Sequence, residues 1–391
     1  MSSTPAYTKK LKTKNKIKGA VKLTKLDDAR NEINGVDEKM AELFERRMKA
    51  VSDVAAYKIE NGLQVFDASR EAFVIEKNLK YIKDDALKSY YTDFIENTMR
   101  ISKNYQRRLI GGRTVAYAGV PGAFAHEAAM EIFEKAIYKP FSNFKKAYEA
   151  VESGECDCAV LPIENSFAGD VAQVMDLAFF GDLHITGIYD LEITHNLLAK
   201  PGTKKEDIKT VVSHSQALSQ CEKYIDENSL KTRECENTAV AAKLCSSGED
   251  KSVGAIASAA AAKIYSLDII EANINQSSNN TTRFAVFSKA PNSDSELNKH
   301  FVMFFTVKNE AGALGEAIRT IGKYGYNLKA LKSRPTKELI WDYYFYAEGT
   351  GSLIGGNGEK MLLELKKVCN EIKVAGSFEK EVKLKDGGDV K

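Results

Sequence analysis

The sequence predicts a multidomain chain in which an all-α segment, an α/β segment and a small α+β segment follow one another. Three observations predict it. Apolar residues recur at helical spacing from Leu26 to about Ile110. Strand-like apolar runs alternate with helical stretches from Thr114 to Lys289. From His300 to Lys380 the order reads βαββαβ, the ferredoxin-like arrangement. At 391 residues the chain is long enough for several cores. The expected boundaries are a Lys-rich disordered tail over 1–22, a helical domain over 23–110, an α/β domain over 111–290 and a ferredoxin-like domain over 298–382.

In the first segment Leu26, Ile33, Met40, Leu43, Val51 and Val54 carry the helical stripe, and no Pro falls between 6 and 120. Asn61-Gly62 ends the first long helix, Asp67 is a natural N-cap for the second, and the third runs from about Ala86 to Arg108. In the second segment "TVAYAGV", "CAVLPI", "HITGIYDLEITHNLLA", "TVVSH", "VGAIAS" and "RFAVF" read as strands. Helices are expected over 123–137, 215–227 and 237–245. "PNSDSELNK", 291–299, reads as a polar linker. The third segment reads strand "HFVMFFTV", helix "GALGEAIRTIGKYG", strands "NLKALKSR" and "LIWDYYFYAEG", helix "EKMLLELKKVCNEI" and strand "VAGSFEK".

Composition excludes several classes. A net charge of +2 argues against a nucleic-acid or membrane partner driven by a global field. Residues 1–26 hold eight Lys and no acid, which reads as a solvated tail. They resemble neither a secretory nor a mitochondrial leader, and no apolar stretch approaches a membrane span. Six scattered Cys suit free thiols in a reducing compartment, so a cytoplasmic protein is expected. Neither Cys nor His falls at metal-ligand spacing, and neither a metal nor a cofactor is expected.

On the first helix Arg30, Arg47 and Lys58 each follow an apolar residue at i−4. They either snorkel from the rim of a seam or form a basic pocket. Arg47 and Lys58 face one side, about 16 Å apart along the axis, and suit two ends of a small anion. Arg30 lies about 26 Å from Arg47 and makes sense if it crosses to a second subunit. Asp67, Arg70 and Glu71 open the second helix, and Ser102 and Gln106 share a face of the third. Cations, acids and neutral donors without a nucleophile suit a dicarboxylate whose reaction needs compression and charge stabilisation. In "SSNNTTRFAVF" Arg283 sits at a loop-to-strand junction. It either pairs with a structural carboxylate or awaits an anion from solvent.

The stretch "LDDARNEINGVDEKMAELFERRMKAVSDVAAYKIENGLQVFDASRE" resembles the all-helical chorismate mutases over about 85 residues. The resemblance implies three helices intertwined in a dimer, with Arg30 as the crossing residue. It implies that Arg47 and Lys58 bind the carboxylates and ether oxygen. Asp67 and Glu71 would hold the substrate hydroxyl, and Arg70, Ser102 and Gln106 would complete the pocket. "VAYAGVPGAFAHEAA", "LPIENSFAGDV", "SHSQAL" and "NNTTRF" together resemble prephenate dehydratase. This implies two α/β lobes around a cleft, with Arg283 on a prephenate carboxylate, Phe284 on the ring, and Thr282, Asn165 and Ser166 as neutral donors. Glu164 stays open between a structural and a site role. Ser215, Ala125 and Asn275 stand where that family usually has Pro, Ser and an acid.

"NEAGALGEAI" and "LKSRPT" resemble the regulatory ACT domain attached to such dehydratases. The resemblance implies L-phenylalanine bound between two such domains by Gly312, Ala313, Leu314, Ser333, Arg334 and Pro335. Lys332, where Glu is usual, is expected to oppose the ligand's ammonium group. The whole reads as an enzyme of phenylalanine biosynthesis, acting on chorismate and then prephenate to give phenylpyruvate. Feedback inhibition by phenylalanine and a homodimeric or homotetrameric state are expected. A ligand-binding regulator without turnover, and an enzyme with a decayed mutase segment, are the rival readings.

Overall fold

The computed structural model describes residues 7–61, 68–277, 279–292, 298–335, 343–379 and 381–384. The chain divides into two compact units, Met1–Ile110 and Gly111–Lys391.

The first unit is built on helices Tyr7–Glu60, Ala68–Leu79 and Lys88–Gly111. The first of these helices begins at Tyr7, within the Lys-rich stretch, which lacks Pro after position 5. Asp67, the expected N-cap of the second helix, lies outside the described residues. Val51, Ala55, Ile95 and Met99 form the buried apolar centre. The earlier part of the first helix has no such cover: Ile33 and Leu43 are 58% and 61% exposed. Its apolar stripe therefore has no partner among the described residues of its own unit.

The second unit holds two sheets. The larger has eleven strands. Its main path runs Asn327–Pro335, Tyr343–Thr350, His300–Val307, Cys369–Phe378, His184–Glu192, Thr281–Ser288, Cys158–Asn165, Arg113–Ala118, Ala136–Phe141. The first four strands, with helices Ala313–Lys323 and Gly356–Val368, have the expected βαββαβ order in an antiparallel sheet. That sheet joins the α/β sheet at Gly376, which pairs with Ile185. A Cβ at Gly376 would stand only 1.9 Å from Ile185 O, so the junction requires glycine. Strand Glu381–Leu384 then continues beside His184–Glu192.

The smaller sheet orders Asp268–Glu271, Asn196–Ala199, Val253–Ala257, Thr210–Ser213 and Lys231–Glu234. The run "HITGIYDLEITHNLLA", expected as one strand, is two: His184–Glu192 in the larger sheet and Asn196–Ala199 in the smaller. Residues 193–195 cross between the lobes, and residues 272–277 and 279–280 return antiparallel to them, with Ile193 N donating to Asn280 O at 2.7 Å. A continuous apolar run does not reveal where a strand changes sheet. The helix expected over 123–137 stops at Ile132, and the strand Ala136–Phe141 follows. The helix expected over 215–227 breaks at Cys221, and "CNEI" opens a strand where helix was expected.

Helix starts in the α/β lobes are set locally. Asn143, Asn237 and Ser258 accept from the amides of Lys146, Val240 and Ala261 at 2.9, 2.8 and 3.1 Å. Ser215 is the first residue of its helix, after the His214 cap. A Pro would fit there, and Ser replaces it without loss of a helical bond.

Candidate functional site

In the helical unit Arg47 Nη1 donates to Ser102 Oγ on the third helix. Ser102 donates to Thr98 O at 2.8 Å, which fixes its rotamer. Gln106, one turn further, is buried, and its Oε1 accepts no hydrogen bond from the described residues. Burial pulls the Arg47 pKa down, yet a guanidinium starts so high that it stays cationic at neutral pH. The structure thus brings Arg47, Ser102 and Gln106 to one face. Glu71 stands 2.8 Å from Lys103, a cation that the sequence reading passed over. Arg70 lies 5.4 Å over the Phe73 ring. Lys58 is half-buried on the first helix. Arg30 is exposed and, seventeen residues before Arg47, about 26 Å from it along the helix. One chain does not bring Arg30 to this face.

In the α/β unit a cavity of about 370 Å³ lies where the two lobes meet. The larger sheet's side contributes Phe124, Ala125, Pro162, Asn165 and Thr282; the other side contributes His214, Gln216, Gln220, Asn237 and Thr238. Thr282 and Asn165, both expected here, meet: Asn165 Nδ2 donates to Thr282 Oγ1 at 2.9 Å. His195 and Asn280, on the two crossover segments, complete the wall. The sequence reading missed His195 and Gln220, which belong to no motif that reads as chemistry on its own, and Asn280, which stands inside "NNTTRF" two residues before Thr282. Among the described residues, no Lys or Arg lines this cavity. One carboxylate, Glu236, does line it. Helices Phe124–Ile132 and Thr238–Ser247 both start at the cavity wall, and Ala123 at the first start makes no side-chain cap.

Three expected site residues lie elsewhere. Arg283 follows Thr282 on the strand, and successive side chains take opposite faces. It donates from Nη1 and Nη2 to the two oxygens of Glu348 at 3.1 and 2.9 Å. Glu164 at 3.5 Å and Asp190 at 3.4 Å complete its surroundings. The guanidinium is thus paired with carboxylates on the strand face away from the interlobe cavity, where it lines a second cavity of about 570 Å³ together with Glu164 and Ser166. Phe284 is buried in the core with Val115, Tyr117 and Val160, where no substrate ring could touch it. Ser166 donates to Asn279 O at 2.9 Å and accepts from Thr281 N at 3.0 Å, so it pins the turn. Glu164 pairs with Arg283 and Lys332 and lines that second cavity. Asn275, standing where an acid is usual, accepts from His195 N at 3.2 Å and donates to Ser277 O at 2.6 Å, a second bond that an acid could not make.

The βαββαβ domain presents its two expected motifs at one end of its sheet. Arg334 lies opposite Tyr344, and Tyr344 opposite Thr306, so the strand leading to Gly312 ends about 10 Å from Arg334. Gly312 has φ +88°, which favours glycine, and caps its helix with no side chain nearby. Arg334 Nε contacts Asp176 and Tyr344, at 3.3 and 3.0 Å. Lys332 does not stand as an uncompensated charge. Its ammonium pairs with Glu164 at 2.8 Å and Asp170 at 2.5 Å. Burial would lower its pKa, but these carboxylates outweigh burial and the net shift is upward.

Residues 29–107 match the family of chorismate mutase type II, and residues 115–292 match prephenate dehydratase. The chain is 33% identical to the bifunctional chorismate mutase/prephenate dehydratase of Aquifex aeolicus, over 92% of this chain and 99% of that one. Among solved structures it is similar to the prephenate dehydratase of Arthrobacter aurescens in complex with L-Phe. That likeness has a TM-score of 0.62 and 26% identity, and covers 68% of this chain and 90% of that one. It is also similar to GqqA, described as a quorum quenching acylase, at TM-score 0.63 and 28% identity, over 68% of this chain and 97% of that one.

Proposed function

The chain belongs to the bifunctional chorismate mutase/prephenate dehydratase family, and from that premise we propose how its residues divide the two reactions. It is an enzyme of phenylalanine biosynthesis with both activities.

For the mutase step, Arg47 holds a carboxylate of chorismate, supported by Ser102, and Gln106 supplies a neutral donor. The rearrangement moves bonds within one molecule, so charge stabilisation and compression suffice. Arg30 serves the site of a second subunit. The uncovered apolar stripe of the first helix supports this reading, because a partner's helices would bury it.

For the dehydratase step, the observation that carries the reading is the Asn165–Thr282 hydrogen bond in the interlobe cavity. Prephenate loses its ring carboxylate as carbon dioxide; that electron pair enters the ring and expels the ring hydroxyl, which leaves as water after gaining a proton. Thr282 donates a hydrogen bond to the departing oxygen, and aromatisation supplies the drive. The N-terminus of helix Phe124–Ile132, which has no side-chain cap, receives a substrate carboxylate at the cavity wall in place of Arg283. The test follows chorismate loss and phenylpyruvate appearance with purified protein. A ligand-binding regulator would consume no chorismate.

The C-terminal βαββαβ domain is an ACT domain, and L-phenylalanine binds between two copies at Gly312–Leu314 and Ser333–Pro335, lowering activity. The complex of the Arthrobacter dehydratase with L-Phe supports this. Such sharing implies at least a homodimer. Among the described residues no helix is long and apolar enough to cross a membrane, which is compatible with the cytoplasmic location we propose.

A further inference from the structure

A chain of polar side chains crosses from one lobe to the other and ends on Thr282. Its orientation is fixed from one end. Asn165 Oδ1 accepts from the amides of Phe167 and Ala168, at 3.0 and 2.9 Å. The reverse placement would set the Asn165 NH₂ against two N–H donors, so Nδ2 must face the other way. It donates to Thr282 Oγ1 at 2.9 Å and to Asn280 Oδ1 at 3.0 Å. With its oxygen occupied, Asn280 donates from Nδ2 to Gln220 Oε1 at 2.9 Å. That same oxygen lies 2.8 Å from His195 Nε2 and can only accept, so His195 carries its proton on Nε2.

Two consequences follow. Thr282 Oγ1 is an acceptor in this chain, which leaves its hydroxyl hydrogen for the cavity. And the tautomer of His195 is set: Nε2–H donates, and Nδ1 is a bare acceptor, buried without a partner among the described residues. His195 is 2% exposed, and it sits on one crossover segment while Asn280 sits on the other. Gln220 belongs to the far lobe, and Asn165 and Thr282 to the near one.

We propose that His195 is a positioning residue for the dehydratase step: as the neutral Nε2–H tautomer it anchors the relay Gln220–Asn280–Asn165 that aims the Thr282 hydroxyl at the leaving group. This rests on the dehydratase reading of the cavity. Burial keeps the imidazole neutral, lowering its pKa, with the Gln220 bond opposing in part. An imidazolium is not needed at that position; a single fixed donor is. The geometry also ties the hydroxyl's aim to the relative setting of the lobes, since the relay spans both crossovers.

The test compares His195→Asn with His195→Gln in the full chain. A Gln places its amide near the Nε2 position and can still donate to Gln220; an Asn places it near Nδ1 and falls short. His195→Asn should lose about 10- to 100-fold in dehydratase kcat with KM for prephenate within about threefold, while His195→Gln recovers most of kcat. Mutase rate and thermal midpoint on the same preparation report whether the fold is intact. If His195→Asn does not fold, Gln220→Met breaks the relay one step on and should give the same kcat loss. Equal losses in the Asn and Gln variants, no loss in either, or a loss confined to KM would overturn the proposal. Failure of the wild-type chain to turn over prephenate would instead overturn the dehydratase reading.

Discussion

Glu348→Gln tests what Arg283 is for. Glu348 is fully buried, receives both Arg283 Nη groups and the Tyr346 hydroxyl, and is nearly isosteric with Gln. The substitution removes one charge and sets an NH₂ against a guanidinium donor. Breaking a buried ion pair from one side costs about 3–5 kcal/mol. Here Glu164 and Asp190 still compensate Arg283, so the cost falls at or below the bottom of that range, about 2–3 kcal/mol. A unit running from Gly111 to Lys391 has an unfolding entropy of about 0.6 kcal/mol/K at its midpoint. The midpoint should then fall by about 3–5 °C in calorimetry. KM for prephenate should stay within about twofold, because the pair lies on the strand face away from the cavity. An unchanged midpoint with a KM raised tenfold or more would refute this and return Arg283 to the substrate.

Three further outcomes are expected. Arg30→Ala and Lys58→Ala chains lie about 42 Å apart in the altered positions along one helix; after subunit exchange, mixtures should regain about a quarter of mutase activity, since half the dimers are mixed and hold one intact site. No recovery after verified exchange would exclude a shared site. Lys332→Glu places a third acid beside Glu164 and Asp170, so it should lower the thermal midpoint of the α/β unit and not tighten phenylalanine binding; calorimetric titration showing tighter binding with no loss of stability would contradict the pairing. Burial lowers the pKa of both His126 and His195. The unfolded chain therefore takes up protons near pH 6.5 that the folded chain refuses, and stability falls as pH drops through that window, by at most about 1.4 kcal/mol per pH unit for each. Melts from pH 7 to 5.5 check it: the midpoint should drop, and the His126→Asn/His195→Gln double variant should flatten the profile.

Much of the fold was legible because its signals are local. Helical spacing in residues 26–110 and the βαββαβ order of residues 300–378 both depend on near neighbours. The change of sheet at residues 193–195 was not legible, because an apolar run reads alike in either sheet. The site divides the same way. Thr282 and Asn165 were found through short motifs, and the structure joins them. The face that Arg283 takes was not legible because a motif gives the residue and not the face: one step along a strand turns a side chain from the interlobe cavity to Glu348, more than sixty positions away in sequence. Lys332 was read as a lone charge because Glu164 and Asp170 are likewise distant. His195, Gln220 and Asn280 stand in separate segments, and only folding aligns their amides and imidazole.

The most direct measurement sets Thr282→Val beside Arg283→Lys in the full chain and compares kcat/KM for prephenate, with chorismate turnover as the internal control. Thr282→Val keeps the shape and removes the donor, and should cost about 100- to 1000-fold in the dehydratase alone. Arg283→Lys should destabilise the α/β unit and leave kcat/KM within about fivefold at a temperature where the chain is folded. The reverse order, with Thr282→Val near wild type and Arg283→Lys inactive while folded, would contradict the placement of the dehydratase site in the interlobe cavity.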